Sequence, residues 1–421
     1  MRNDHQAARA AAAVDENRLW ATLMQLAEIG ATAKGGVRRL AYSAEDIAAR
    51  KLLIAEARDR GYVVLGDAIG NLFIRRPGRR DDLAPVMTGS HLDSQPTGGR
   101  FDGAYGVIAG LEALRALDDA GLETLRPIDV VAWANEEGSR FQPGTLGSGA
   151  FAGIVDWRAF AKATDSDGTT LADALAACLA AFPDLRRAGF GYPIHAYLEA
   201  HIEQGPILEA EAMEVGIVEA VQGLRGFSID IEGMEAHAGT TPERDRRDAM
   251  TAAIGLMGQL RAIAADPEDR LRFTIGRFDL YPNSPNTTPS RVHFSIDMRH
   301  PEETRLDRLS AEIEAIVAGY AGPCRVALAV DHRLPCLTFT PRIVDLIRES
   351  AAESGCRHRD IYSGASHDAV NIAKLCPAGM IFVPCRDGIS HNEAESATPE
   401  HAAAGTRVLA ASLVKLANEA A

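Results

Sequence analysis

Ala84-Pro-Val-Met-Thr-Gly-Ser-His-Leu-Asp-Ser-Gln-Pro-Thr-Gly-Gly-Arg-Phe-Asp-Gly103 begins as a short apolar run and ends with a carboxylate placed at a glycine. Residues 84–88 read as a buried strand and residues 103–117 as a helix. Residues 128–134, Ile-Asp-Val-Val-Ala-Trp-Ala, read as a second buried strand. Strands apolar along their whole length, joined by a helix, make a β-α-β unit, which implies an α/β fold with a mostly parallel sheet.

Toward the N-terminus, Leu19, Leu23, Leu26 and Ile29 form one helical stripe that stops at Gly30. Ser43 with Asp46 resembles a capping box opening a helix that ends at Gly61. Short β-rich runs at 62–65 and 71–74 follow, and residues 197–201 suggest a further strand. From about residue 217 the rhythm changes. Strand (216–232), helix (248–265), strand (271–279), strand (291–298), helix (303–319) and strand (325–331) spell β-α-β-β-α-β, the ferredoxin-like split pattern. After residue 333 the α/β rhythm resumes with a helix at 341–352, a strand at 379–383 and a final helix from Pro399. The expected organisation is an α/β domain, residues 1–215 and 333–421, interrupted by an inserted α+β domain, residues 216–332. A chain of 421 residues exceeds what one core usually supports, which agrees with two domains.

Against 44 Lys and Arg stand 58 Asp and Glu, a net charge of −14, which argues against nucleic acid or an anionic membrane as partner. A small anionic substrate needs only a local cation. The six cysteines contain no C-x-x-C pair, so reduced thiols in a cytoplasmic protein are expected. The N-terminal alanine run lacks the bulk of a signal sequence, and no apolar run approaches the roughly 18 residues of a membrane helix.

Chemistry gathers where the strands end, which is where open α/β sheets place their sites. His91 and Asp93 follow the first strand, Glu136 and Glu137 the second, and His201 ends the run at 197. Asp102 stands at a helix start, and His391 lies in a late loop. Together they are an N/O ligand set suited to zinc, manganese, cobalt or nickel. Taken singly, Asp102 reads equally as an N-cap, each histidine as a surface or core residue, and Glu136-Glu137 as a solvated pair. Their joint placement outweighs those readings, because adjacent carboxylates directly behind an apolar strand are hard to bury unless a cation compensates them.

Seven ordered blocks carry a resemblance: residues 89–103, Ala134-Asn-Glu-Glu-Gly-Ser-Arg-Phe141, Glu199-Ala-His-Ile-Glu-Gln-Gly-Pro206, Ala236-His-Ala-Gly-Thr-Thr-Pro242, Pro285-Asn-Thr-Thr-Pro-Ser290, Asp297-Met-Arg299 and Ser390-His391. Over nearly its whole length the chain resembles the dinuclear-metal amidohydrolases that include N-carbamoyl-L-amino acid hydrolase (L-carbamoylase), β-alanine synthase (β-ureidopropionase) and allantoate amidohydrolase. These are relatives of the metal-dependent aminoacylases and carboxypeptidases.

The resemblance implies a metallopeptidase-like catalytic domain binding two divalent ions per chain. His91, Asp102 and Glu137 would be ligands, with Asp102 bridging, and His201 and His391 would each add one. Asp93 would hold the His91 imidazole in its tautomer and orientation. Glu136 would be the general base, taking a proton from the attacking water and passing it to the leaving nitrogen. The insert would serve as lid and dimerisation domain. Its His237, Asn286 and Arg299 would grip the substrate, some from the neighbouring subunit, with His237 helping to stabilise the oxyanion. Gln204 and the turn containing Gly364 and Ser366 would finish the pocket, Ser366 standing where the family carries glycine.

The expected protein is thus a cytoplasmic, homodimeric hydrolase of linear carbamoyl amides, an N-carbamoyl-L-amino acid hydrolase releasing amino acid, ammonia and carbon dioxide. Allantoate amidohydrolase is the alternative, followed by a dipeptidase or aminoacylase with the same metals. Ser94-Gln95-Pro96 favours the carbamoyl branch by resemblance. An inactive metal-bound scaffold is the rival from another class, and Glu136 speaks against it, because a structural site has no need of an unliganded base.

Overall fold

Four strands buried along their whole length form the centre of a large sheet: β1 (Val86–His91), β2 (Ile128–Trp133), β3 (Ala196–Ile202) and β4 (Ala378–Val383). They lie in the order β4-β3-β1-β2, and each adjacent pair is parallel. Antiparallel strands flank this centre, Leu72–Arg76 and Val63–Gly66 beyond β2 and Val215–Val221 beyond β4. The apolar character of the central strands follows from cover. The Ala- and Leu-rich helix Ala104–Asp119 packs on β1 and β3, and Pro399–Ala417 packs on β3 and β4. Pro399–Ala417 starts where Thr398 accepts from the main-chain N–H of His401, with proline at its first position.

This computed structural model describes residues 2–420, and the chain divides into two units. One comprises the residues up to Glu219, Phe339–Ile361 and those from Ala365 onward; the other comprises Ala220–Thr338 and Tyr362–Gly364. The crossings fall after Glu219 and Thr338, not after residues 215 and 332 as the sequence suggested.

Within the second unit a sheet runs in the order Arg272–Tyr281, Arg291–His300, Gly223–Glu232, Arg325–Leu334, with all neighbours antiparallel. Helices Ala249–Ile263 and Glu303–Ala318 supply Leu256, Leu260, Leu309 and Ile313 to a core with Phe227, Ile229, Val292, Phe294, Ile296 and Met298. Strict alternation along Arg291–His300 buries Val292, Phe294, Ile296 and Met298 and leaves Asp297 and Arg299 on the opposite, polar face.

Several expectations need correction. The single strand expected at 216–232 is two strands in different sheets, Val215–Val221 and Gly223–Glu232, separated at Gln222. A continuous β-prone run contains no signal for such a change of sheet. The strand expected at 84–88 extends through His91, so His91 is its last residue. The short helix Leu146–Phe151, the helix Leu171–Ala180 and the strand His358–Ser363 were not expected; the last carries polar residues on a half-covered strand. Among the described residues no helix is long and apolar enough to cross a membrane.

Candidate metal centre and active site

Strands β1 and β3 are hydrogen-bonded neighbours, and they bring His91 and His201 to one end of the sheet. Asp102 reaches the same place from the loop ahead of Ala104–Asp119. Gly103 joins loop to helix at φ +64°, and a Cβ there would lie 2.3 Å from the His91 ring, so glycine permits both the turn and the close approach. His201 Nε2 lies 3.2 Å, and His91 Nε2 3.6 Å, from Asp102 Oδ1. His391 Nε2 lies 3.3 Å from the other oxygen, Oδ2, and 3.5 Å from Glu137 Oε2. Among the described residues, donor atoms no more than 4.8 Å apart form three groups: Glu199/His201/His367, and the two that meet at one carboxylate, His91/Asp102/His201 and Asp102/Glu137/His391. Asp102 belongs to both.

The chemistry of these donors fits cations. His91 Nδ1 and His201 Nδ1 each lie 2.9 Å from a main-chain carbonyl, of Asp93 and Ile202 respectively, which can only accept, so each Nδ1 carries a proton and each ring turns Nε2 toward Asp102. Each Nε2 can carry a second proton toward the carboxylate or, in place of that proton, offer a lone pair to a cation between ring and carboxylate. Among the described residues, every ion pair made by Asp93, Asp102, Glu136 and Glu137 is with a histidine. Burial opposes ionisation of Asp102, yet hydrogen bonds from His201, His391 and His91 hold its carboxyl well below the usual range. Glu136 is different. Burial pushes it well above the usual range, against the pull of His91, and Asp368 and Glu137 add to the rise. Its Oε2 lies 3.4 Å from His91 Nε2.

Asp93 acts through two groups. Its carbonyl meets His91 Nδ1, while its carboxylate, 4.0 Å from that nitrogen, accepts the main-chain N–H groups of Glu136 (3.2 Å) and Glu137 (3.1 Å). The imidazole is therefore held by the main chain and the glutamate loop by the side chain, a division the sequence did not suggest.

Gln204 lies within the cluster: its Nε2 donates to Asp102 Oδ2 (2.9 Å) and to Ser390 Oγ (3.1 Å). The other expected substrate residues stand in the second unit, except Ser366, which is exposed in the first. His237 is exposed on a short strand paired with Thr287–Thr288, and its Nδ1 accepts from the Gly239 N–H at 3.0 Å. That bond places the ring proton on Nε2, leaving Nε2–H as a donor. The carbonyl of Asn286 accepts from the Ala238 N–H, so Asn286 and His237 share one loop cluster. Arg299 sets Nε and Nη2 against Asp297 and donates Nη1 to the Gly364 carbonyl at 3.0 Å.

Other neighbours were assigned no individual role in the site from the sequence. Gln95 Nε2 donates to Glu137 Oε2 at 2.7 Å, and Glu395 binds the main chain at Phe101 and Asp102. The buried His367 ring packs edge-on against His201 at 4.6 Å, and buried Glu199 accepts from Ser90 Oγ and the Ala369 N–H. Gln95 sits inside a quoted block, which was the available signal. Glu395, four residues beyond His391, had none.

The profile of Peptidase family M20/M25/M40 matches residues 87–415. An N-carbamoyl-L-amino-acid amidohydrolase of Rhizobium meliloti is 39% identical over 94% of this chain and 95% of its own. An allantoate amidohydrolase of Bacillus subtilis is 33% identical over 93% and 95%. A crystal structure of an amidase of the hydantoinase/carbamoylase family from Burkholderia multivorans superposes with a TM-score of 0.90 at 46% identity, covering 96% of this chain and 98% of that one. An N/O donor cluster at the strand ends and relatives matched almost end to end lead to one assignment: the chain belongs to Peptidase family M20/M25/M40, as a hydrolase of amide C–N bonds.

Proposed function

We propose that the protein hydrolyses N-carbamoyl-L-amino acids with two divalent ions per chain, zinc or else manganese, cobalt or nickel. His91, Asp102 and His201 would hold one ion, and Asp102, Glu137 and His391 the other. The observation that carries this reading is Asp102, whose two oxygens face different donor groups while Glu136 stands beside His91 without joining either group. When bound, such ions polarise the scissile carbonyl and make the attacking water more acidic.

The remaining steps belong to side chains. Glu136, whose burial raises its affinity for a proton, takes one from water and delivers it to the leaving nitrogen. Breaking the carbamoyl C–N bond releases the amino acid, and the carbamate left behind yields ammonia and carbon dioxide. Arg299, oriented by Asp297, would meet the substrate carboxylate together with Gly364 and Ser366. The Nε2–H of His237 would donate to the developing oxyanion, with Asn286 beside it. The second unit would act as lid and dimerisation domain of a cytoplasmic homodimer, so that His237 can serve its partner's site. Its small anionic substrate makes nucleic acid or membrane partners unnecessary.

Ammonia release from a panel of N-carbamoyl-L-amino acids and allantoate, with amino-acid release from dipeptides measured beside it, tests the reading. Turnover of carbamoyl amino acids, abolished by chelation and restored by a divalent ion, is expected. Preference for allantoate would favour the activity carried in the name of the 33%-identical relative. Activity on dipeptides alone would remove the proposal.

A further inference from the structure

His391 is the least embedded of the histidines in the donor groups. Its side chain is 52% exposed and its backbone stands at φ +51°, a conformation that a residue with a Cβ adopts only when its surroundings impose it. His91 and His201 are fixed by strands; His391 is fixed by a loop, and the loop needs an anchor.

Glu395, only 4% exposed, provides it. Its Oε1 accepts the main-chain N–H groups of Phe101 (2.9 Å) and Asp102 (3.1 Å), and its Oε2 lies 3.1 Å from Ser390 Oγ. The same hydroxyl is 3.2 Å from Asp102 Oδ2. A Cβ at Gly99 would fall 2.0 Å from the Glu395 carboxylate, so the glycine-rich segment before Asp102 leaves that volume to it. Two acceptor oxygens thus join the segment carrying Asp102 to the residue preceding His391. Burying a carboxylate is costly without donors, and here the donors come from both loops.

We propose that Glu395 is a positioning residue for the second metal position. It sets His391 against Asp102 so that Asp102, Glu137 and His391 form one ligand group. The first position shares Asp102 but takes both of its histidines from β1 and β3, so it leans on Glu395 less than the second does. The proposal rests on the two-ion reading given above.

The test is titration of chelator-stripped full-length protein with zinc alone, in competition with a chromophoric chelator, and folding is checked by circular dichroism. Wild type is expected to take up two ions. Glu395→Ala should retain the first and bind the second on the order of 10–100-fold more weakly, the range typical when the partner of a ligand is removed. Glu395→Gln can still accept both main-chain N–H groups and donate to Ser390 Oγ, so it should stay close to wild type. In a His391→Ala background, Glu395→Ala should cause no further loss, because its effect passes through His391. Should Glu395→Ala not fold, Ser390→Ala carries the same measurement.

Equal weakening of both ions, no weakening of either, Gln as damaging as Ala, or an additional loss in the His391→Ala background would each overturn the proposal. Fewer than two ions in wild type would instead sink the two-ion reading, and this proposal with it.

Discussion

Asp93 shows how much one side chain can organise without touching an ion. Its carboxylate satisfies two part-buried main-chain donors in the glutamate loop, and a buried donor left unpaired costs about 1–3 kcal/mol. Asp93→Ala is expected to lower unfolding free energy by about 2–4 kcal/mol in denaturant melts, and Asp93→Asn, which keeps one acceptor, by roughly half of that. Coincident melts for all three proteins would show that the loop is held by something else. Glu136→Gln, next along, should keep its metal content and lose about 10²–10⁴ in kcat, since the amide keeps the shape and loses the proton acceptor. Glu137→Gln should instead lose metal, read by elemental analysis; equal metal loss in both variants would reverse these roles. At this scale the sequence was informative for donors and poor for what surrounds them. His91, Asp102, Glu137, His201 and His391 were legible because they stand behind apolar strands or in blocks the resemblance carried. Glu395 was not, because two of its partners are N–H groups almost 300 residues away, and any residue type presents an N–H.

Gly103 ties a helix to a candidate ligand, His91. With φ +64° and a virtual Cβ 2.3 Å from the His91 ring, the junction before Ala104–Asp119 tolerates no side chain without displacing either helix or imidazole. Gly103→Ala should therefore weaken metal uptake and lower the midpoint of thermal unfolding together, by about 2–3 kcal/mol in stability. A variant with wild-type metal affinity would mean that the helix start relaxes freely. The type and order of most elements could be read from hydrophobic periodicity, since buried strands and amphipathic helices impose it. The division at Gln222 could not, because strands on both sides of it are equally β-prone and only tertiary pairing separates them. Leu171–Ala180 was missed for a related reason: a run of alanine and leucine with a low polar content offers little contrast between faces.

For the whole molecule, the proposed dimer makes a prediction that neither single site can make. If His237 serves its partner's site, mixing inactive His237→Ala with inactive Glu136→Gln protein should recover part of the activity, since one hybrid site then holds both native residues. Mass-confirmed subunit exchange without recovery would place His237 in its own chain's site. Finally, the two crossings of the chain into the second unit run side by side as an antiparallel pair, with Ala220 opposite Thr338 and Val221 opposite Leu337. Partners in such a ladder lie about 5 Å apart, a gap that a two-residue turn closes. The insert is therefore topologically a cassette: replacing residues 222–336 by Asn-Gly should yield a shortened chain that still loads metal, measured by elemental analysis, but no longer turns over carbamoyl amino acids. The same hairpin stem would accept a foreign domain in its place, making the metal-bearing unit a scaffold onto which a different specificity could be spliced.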